Sequence, residues 1–269
     1  MKRRTVWTLT TLLGLAVLSG CGTGEAKDIL DSTQANMEEV SSASGDMAFD
    51  MGVNLTMEGA SMDMGVSIKG DWKMVSDSNA FSFDGTMEIM NMTADMAVYS
   101  VEEDGRQATY IKVADQWTKE LTDIPAEEGR GLAEFQDIEP FSMELAKETE
   151  EINGEEAYII NATVTGREVL DLLEKAGINM EELQEQAIFD LNADITLKIY
   201  KEELLPASVS VDFGDSLTGA AQADEGSEVT VNTCILSADI TDYNNVDEIQ
   251  VPQEALDAPE ADPEILEEM

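Results

Sequence analysis

Histidine is absent from this 269-residue chain, and cysteine occurs only twice. Without histidine no Ser-His or Cys-His nucleophile pair can be built, and no Gly-x-Ser-x-Gly elbow is present. Basic residues are scarce: 15 Lys and Arg stand against 57 Asp and Glu, a formal net charge of −42. That balance excludes nucleic acid as a partner, because binding it needs clustered Lys and Arg to displace counterions. It also repels anionic lipid headgroups and cell-wall polymers, so membrane attachment has to rest on something other than a basic patch. Neither a Gly-x-x-x-x-Gly-Lys phosphate loop nor an EF-hand loop is found. Carboxylates are so frequent that neighbouring pairs identify no acid–base couple. The chain is therefore read as a non-enzyme with no catalytic residue, metal site or cofactor.

A long apolar run is missing too. Residues 6–17 are apolar but broken by Thr8, Thr10, Thr11 and Gly14, whereas a spanning helix needs about 20 mostly apolar residues. This stretch follows Lys2, Arg3 and Arg4 and ends in Leu18-Ser19-Gly20-Cys21, which resembles a bacterial lipobox. The resemblance implies that residues 1–20 are a signal peptide that is cut away and that Cys21 carries a diacylglyceryl thioether. The mature chain would then sit on the extracytoplasmic face of the cell membrane, held by acyl chains worth about 0.8 kcal/mol per buried methylene. Losing Lys2, Arg3 and Arg4 moves the formal charge from −42 to −45. Cys234 is left without a disulfide partner and reads as a small buried hydrophobe in the strand-like run 229–240.

Along the mature chain, residues 21–27 read as the lipidated cysteine and a short flexible spacer, and 28–40 as one amphipathic helix through Ile29, Leu30, Met37 and Val40. From Met47 the period becomes two. Met47, Phe49, Met51, Val53, Leu55 and Met57 alternate with small or polar residues, a turn follows at Gly59, and Met62, Met64, Val66 and Ile68 alternate on the returning strand. Phe81 and Phe83, then 87–97, 99–101 and 110–113 continue the strands, with Glu103-Asp104-Gly105 as a hairpin turn. Residues 125–145 read as a mixed connection, and Asn153-Gly154 turns the chain ahead of a strand at 157–164. Thr165-Gly166-Arg167-Glu168 has the form of a capping box before a short helix that Gly177 stops, and a second helix starts at Asn179. Runs 191–200, 207–213 and 229–240 supply the last strands. One domain, 28–254, is expected, followed by an acidic disordered tail, 255–269.

The fold class is α+β: a large antiparallel curved sheet forming an unclosed half-barrel, with a few helices over the concave face. The order of weak motifs is informative here. Tyr110-Ile-Lys-Val113 followed by Trp117, the Asn153-Gly154 turn before Tyr158, Leu204-Leu-Pro206, and the closing Ile240-Thr-Asp-Tyr243-Asn-Asn-Val246 leading to Ile249-Gln-Val-Pro252 follow a lipobox, a spacer and a first helix. This is similar to Gram-positive lipoproteins related to the LolA/LppX superfamily. The resemblance implies an open half-barrel that binds a lipid or acylated ligand for carriage or sensing.

Fifteen methionines bear on that expectation. Methionine is a poor strand former, but its flexible thioether suits surfaces that accommodate variable apolar shapes. The alternating set Met47, Phe49, Met51, Val53, Leu55 and Met57, with Met62, Met64, Val66 and Ile68 opposite, is the expected ligand lining. Plain core packing explains the same pattern. Cu(I), which thioethers select, is a sharper alternative at Met62-Asp63-Met64 and Met90-Asn91-Met92, but hydrophobic alternation already accounts for the spacing. The rival to a lipid carrier is a non-catalytic sensor or interaction lipoprotein whose interior is simply filled, its protein partner unspecified.

Overall fold

The structure, a computed structural model, describes residues 24–57, 60–90, 92–123, 142–166, 169, 191–214, 216–219 and 227–259. Among the described residues twelve strands form one sheet: β1 Ser42–Met57, β2 Ala60–Val75, β3 Ala80–Ile89, β4 Met92–Glu103, β5 Arg106–Val113, β6 Gln116–Asp123, β7 Ser142–Leu145, β8 Glu150–Ile152, β9 Glu155–Thr165, β10 Asn192–Tyr200, β11 Pro206–Asp212 and β12 Ser227–Tyr243. Their spatial order is β6-β5-β4-β3-β2-β1-β12-β11-β10-β9-β7, with β8 also on β9. Every pairing is antiparallel. The first strand and the last therefore lie side by side at the centre, and the two edges do not pair with each other. The sheet is an unclosed half-barrel.

Register assigns the faces, because side chains directly opposite one another in a ladder share a side. Starting from Met47, the partners Gly70, Gly85 and Met96 run outward in one direction, and Ala238 and Val209 in the other. This inner face is apolar from β4 to β7. Trp72, Met74, Phe81, Phe83 and Val98 form its core on the first half, meeting Leu236, Ala238 and Ile240 on β12. Ile160, Val164, Leu197, Ile199 and Cys234 form the core on the second half. Gly70 and Gly85 stand opposite each other because a side chain on Gly70 would run into the backbone of Asp84 and Gly85. The ring of Phe83 lies over Gly85 in the space so left.

Helix α1, Gly24–Met37, covers the second half of this face. Ala26, Ile29, Leu30 and Thr33 are its buried positions, spaced as one helical stripe. The Thr33 hydroxyl donates to the Ile29 carbonyl at 2.9 Å, which satisfies it in the apolar contact. The helix starts four residues earlier than the 28–40 span expected. Ala26 is fully buried, and Glu25 sits in the first turn where the helix dipole favours it, so docking extends into the supposed spacer.

Three further expectations need correction. Residues 87–97 are not one strand: Met90, with φ of 49°, turns the chain between β3 and β4. The apolar alternation runs through this turn without a glycine to mark it, which hid it in the sequence. The connection 125–145 ends in strand β7, and β8 precedes the Asn153-Gly154 turn; both are edge strands too short to carry a readable pattern. The tail does not begin at 255, because helix α2, Gln253–Leu256, buries Ala255 completely against Ala108 and Tyr110. The Pro259 carbonyl then accepts from the Lys119 backbone N–H at 3.0 Å. The expected helices beyond Gly166, most of the 125–145 connection and the last ten residues lie outside the described residues.

Candidate functional site

The ten expected lining residues lie on one face of one hairpin. Phe49 pairs with Ile68, Met51 with Val66, Val53 with Met64, and Leu55 with Met62, while Met47 pairs with Gly70 and Met57 with Ala60. Burial divides them along the hairpin. Met47 is buried in the lower core, Phe49 to Leu55 with Met64 to Ile68 are half-buried, and Met57 and Met62 at the tip are exposed. Register extends the same surface to neighbours that sequence alternation did not assign to it. Ile68 faces Met87, Val66 faces Ile89, and across Gly85 stands Met96. On the other side Val53 meets Val231 after a bulge beyond Gly52. Only the strand pairing brings these residues to the hairpin; the bulge shifts the β12 alternation by one residue, so reading along the chain misassigns its far end.

Below this half-open tier the face is closed. At the junction of β1, β11 and β12 a cleft lined by Met47, Val209, Val211, Leu236, Ser237 and Ala238 has a volume of about 10 Å³, room for about one water molecule. That is far below the about 300 to 1,000 Å³ of a small-molecule pocket. Cys234 lies on the same face, and burial, followed by the charge of Asp212, pushes its thiol up to about 11, so it stays protonated and inert. Met90 stands in a turn rather than beside Met92 on a strand, so the two sulfurs do not share a strand face as a copper site there would need.

The opposite face is mostly polar, apart from an apolar hollow of Tyr99, Ala108, Tyr110, Trp117 and Leu121 under Val251 and Ala255. Asp239, Asp46, Asp71 and Asp84 are consecutive cross-strand partners on β12, β1, β2 and β3. Burial, a hydrogen bond with Asp71 and the charges of Asp71 and Asp239 raise the Asp46 carboxyl above its ordinary value. Toward β6, Tyr99 donates to Asp84 at 2.7 Å, and its phenol is pushed up by burial and by that carboxylate. Lys119 donates to Glu103 at 2.7 Å while lying 4.9 Å from the Tyr110 ring centroid, and Tyr110 also donates to Glu103. Burial works to raise the Glu103 pKa, but the bonds from Lys119 and Tyr110 hold it below its ordinary value. The Trp117 indole N–H, in the same layer, is buried without a partner. Among the described residues no group of three or more Asp, Glu or Cys is arranged to hold a metal ion. Cys21 and the preceding Leu18, Ser19 and Gly20 lie outside the described residues.

An open antiparallel sheet with one apolar face, a helix laid on it and two unpaired edges defines the class of unclosed half-barrels. More particularly, the chain belongs to the family of unknown function DUF6612, whose model matches residues 25–260. Among solved structures it is similar to the Mycobacterium tuberculosis lipoprotein LppX, at 11% identity over 83% of this chain and 97% of that one, with a TM-score of 0.41. It is also similar to LprF from Mycobacterium bovis, at 11% identity over 88% and 100% with a TM-score of 0.40. A LolA superfamily protein from Nitrosomonas europaea matches at 10% identity over 83% and 94%, with a TM-score of 0.22. At such identities and TM-scores they carry no argument about superfamily, ligand or role. No curated protein matches the chain.

Proposed function

We propose that this protein is a non-catalytic lipoprotein, tethered to the extracytoplasmic face of the cell membrane through acyl chains on Cys21, that takes up a lipid or other hydrophobic ligand for carriage or sensing. One observation carries the reading: the apolar face is continuous, but its upper tier on β1 to β4 is left half-open and is rich in methionine. Buried apolar surface is worth about 25 cal/mol per Å², so a half-covered apolar face gains by receiving an apolar guest. Flexible thioethers adapt to acyl chains of differing length. The closed lower tier with its small cleft favours the second reading, a sensor or interaction lipoprotein with a filled interior.

Native mass spectrometry of residues 22–269, incubated with an extract of the membrane lipids and gently repurified, separates the two. The carrier reading expects a mass excess that organic extraction removes, identifiable as lipid, and its loss in a Leu55→Asp, Met64→Asp variant whose fold is unchanged by circular dichroism. A clean apo mass supports the filled interior. Tethering is tested separately: Cys21→Ala should leave the membrane fraction, and its retention there after a salt wash would refute the anchor.

A further inference from the structure

Among the described residues the free thiol, Cys234, is buried, so an oxidant arriving from solvent meets thioethers first. The described methionines fall into separate sets. Met47, Met74 and Met143 are buried in the cores of the two halves. Met57, Met62 and Met92 are exposed, from 50% at Met62 to 69% at Met92, and Met51, Met64 and Met87 are half-buried.

Register gathers the accessible set in one place. Met51, Val66, Ile89 and Met92 form one cross-strand row, while Val53 pairs with Met64, Leu55 with Met62, and Ile68 with Met87. All the accessible ones just named therefore lie on the inner face above Met47, in the half-open tier. Met37, Met90 and Met96 stand apart, on α1, in a turn and in the row of Met47. The inward side chains of the tier on β1 to β4 are all apolar, so none can donate a hydrogen bond.

We propose that Met51, Met57, Met62, Met64, Met87 and Met92 are an oxidation site for peroxides, and that their oxidation closes the tier to apolar ligands while leaving the fold intact. The proposal rests on the lipid-uptake reading above. In the step, the sulfur lone pair attacks one oxygen of the peroxide; an S–O bond forms and the O–O bond breaks. The released hydroxide takes the proton of the transferred hydroxyl and leaves as water, so the thioether is oxidised to a sulfoxide and the peroxide is reduced. Each sulfoxide oxygen is a hydrogen-bond acceptor. In the open tier water satisfies it; under an acyl chain it loses that water and finds no donor, so a guest that gains by covering thioethers loses by covering sulfoxides. The buried methionines are shielded, and both cores persist. Methionine sulfoxide reductases reverse the change.

The test uses residues 22–269, hydrogen peroxide, and the uncharged probe N-phenylnaphthylamine, whose emission rises in apolar surroundings. Peptide mass mapping along a peroxide time course should show an added oxygen on Met57, Met62 and Met92 first, then on Met51, Met64 and Met87. Met47, Met74 and Met143 should stay reduced, and circular dichroism should not change. At that stage the probe should bind more weakly by about tenfold or more, and methionine sulfoxide reductases should restore binding. A variant carrying M51L, M57L, M62L, M64L, M87L and M92L should bind the probe and go on binding it after peroxide; the time course and its reversal decide without that variant. Oxidation of the buried methionines in step with the accessible ones, or binding that the sulfoxides leave unchanged, overturns the proposal. So does an equal loss in the leucine variant, which would place the damage elsewhere. Absence of probe binding before any peroxide is added would overturn the lipid-uptake reading itself, and the switch with it.

Discussion

Asp46 and Glu103 lie on the same polar face and respond to protons in opposite directions. Asp46 is hemmed by Asp71 and Asp239, and its folded pKa is raised, so the native state binds its proton more tightly than the unfolded chain does. That costs stability above the raised value, and the cost fades as pH falls toward 3.8. Glu103 is lowered by Lys119 and Tyr110, so its contribution is present above 4.5 and lost as pH falls through its depressed value. Asp46→Asn should raise the melting temperature at pH 7 by about 1–3 °C, since like charges directly opposite in a ladder repel, and should do nothing at pH 3. Glu103→Gln should lower it at pH 7 by about 2–4 °C, the effect of about 1 kcal/mol once solvent screening is allowed for, with the deficit narrowing toward pH 3. Thermal melts at both pH values decide; effects of the same sign in the two variants would contradict this assignment. Neither pairing is legible along the chain, because Asp46 is 25 residues from Asp71 and 193 from Asp239, and only register makes them neighbours.

At the scale of elements, the hairpin β1–β2 could be read directly, because sixteen-residue strands repeat their period often enough to be unambiguous. The C-terminal strap could not. After β12 the chain bonds back to the start of β1, where Asn244 donates its N–H to the Ser42 carbonyl and accepts from the Ser41 N–H, and then reaches the far half of the sheet to lay Val251 and Ala255 over Ala108 and Tyr110. From Ala255 on its apolar residues are few and surrounded by acid, so composition reads as disorder there; a complementary apolar hollow on β5 orders Ala255. Truncation after Val246 removes the buried Ile249 and Ala255 and uncovers the layer that contains Trp117. Melting should fall by about 10 °C, the equivalent of about 3–5 kcal/mol. Tryptophan emission should shift to the red while the far-ultraviolet strand signal persists. Unchanged emission and melting would mean that the strap contributes nothing to the fold.

For the whole molecule, charge governs how stability depends on the solvent. A net charge of −42 on the chain repels itself, and added salt shortens the range of that repulsion from about 30 Å at 0.01 M to about 3 Å at 1 M. Raising sodium chloride from about 20 mM to about 500 mM should therefore raise the melting temperature by several degrees in calorimetry, and a fall would show that the few ion pairs outweigh the repulsion. Composition by itself determined the sign of this charge and the absence of histidine chemistry, since these depend on which residues exist and not on where they lie. Local periodicity determined the antiparallel class and the inward face of the long hairpin, because alternation is a property of neighbours in the chain. The tertiary structure alone decided which strands adjoin: β1 beside β12, Met87 and Ile89 beside Ile68 and Val66, and four aspartates in one row. The reason is that pairing between distant strands is chosen by the fit and burial of whole faces, a quantity that no single segment carries.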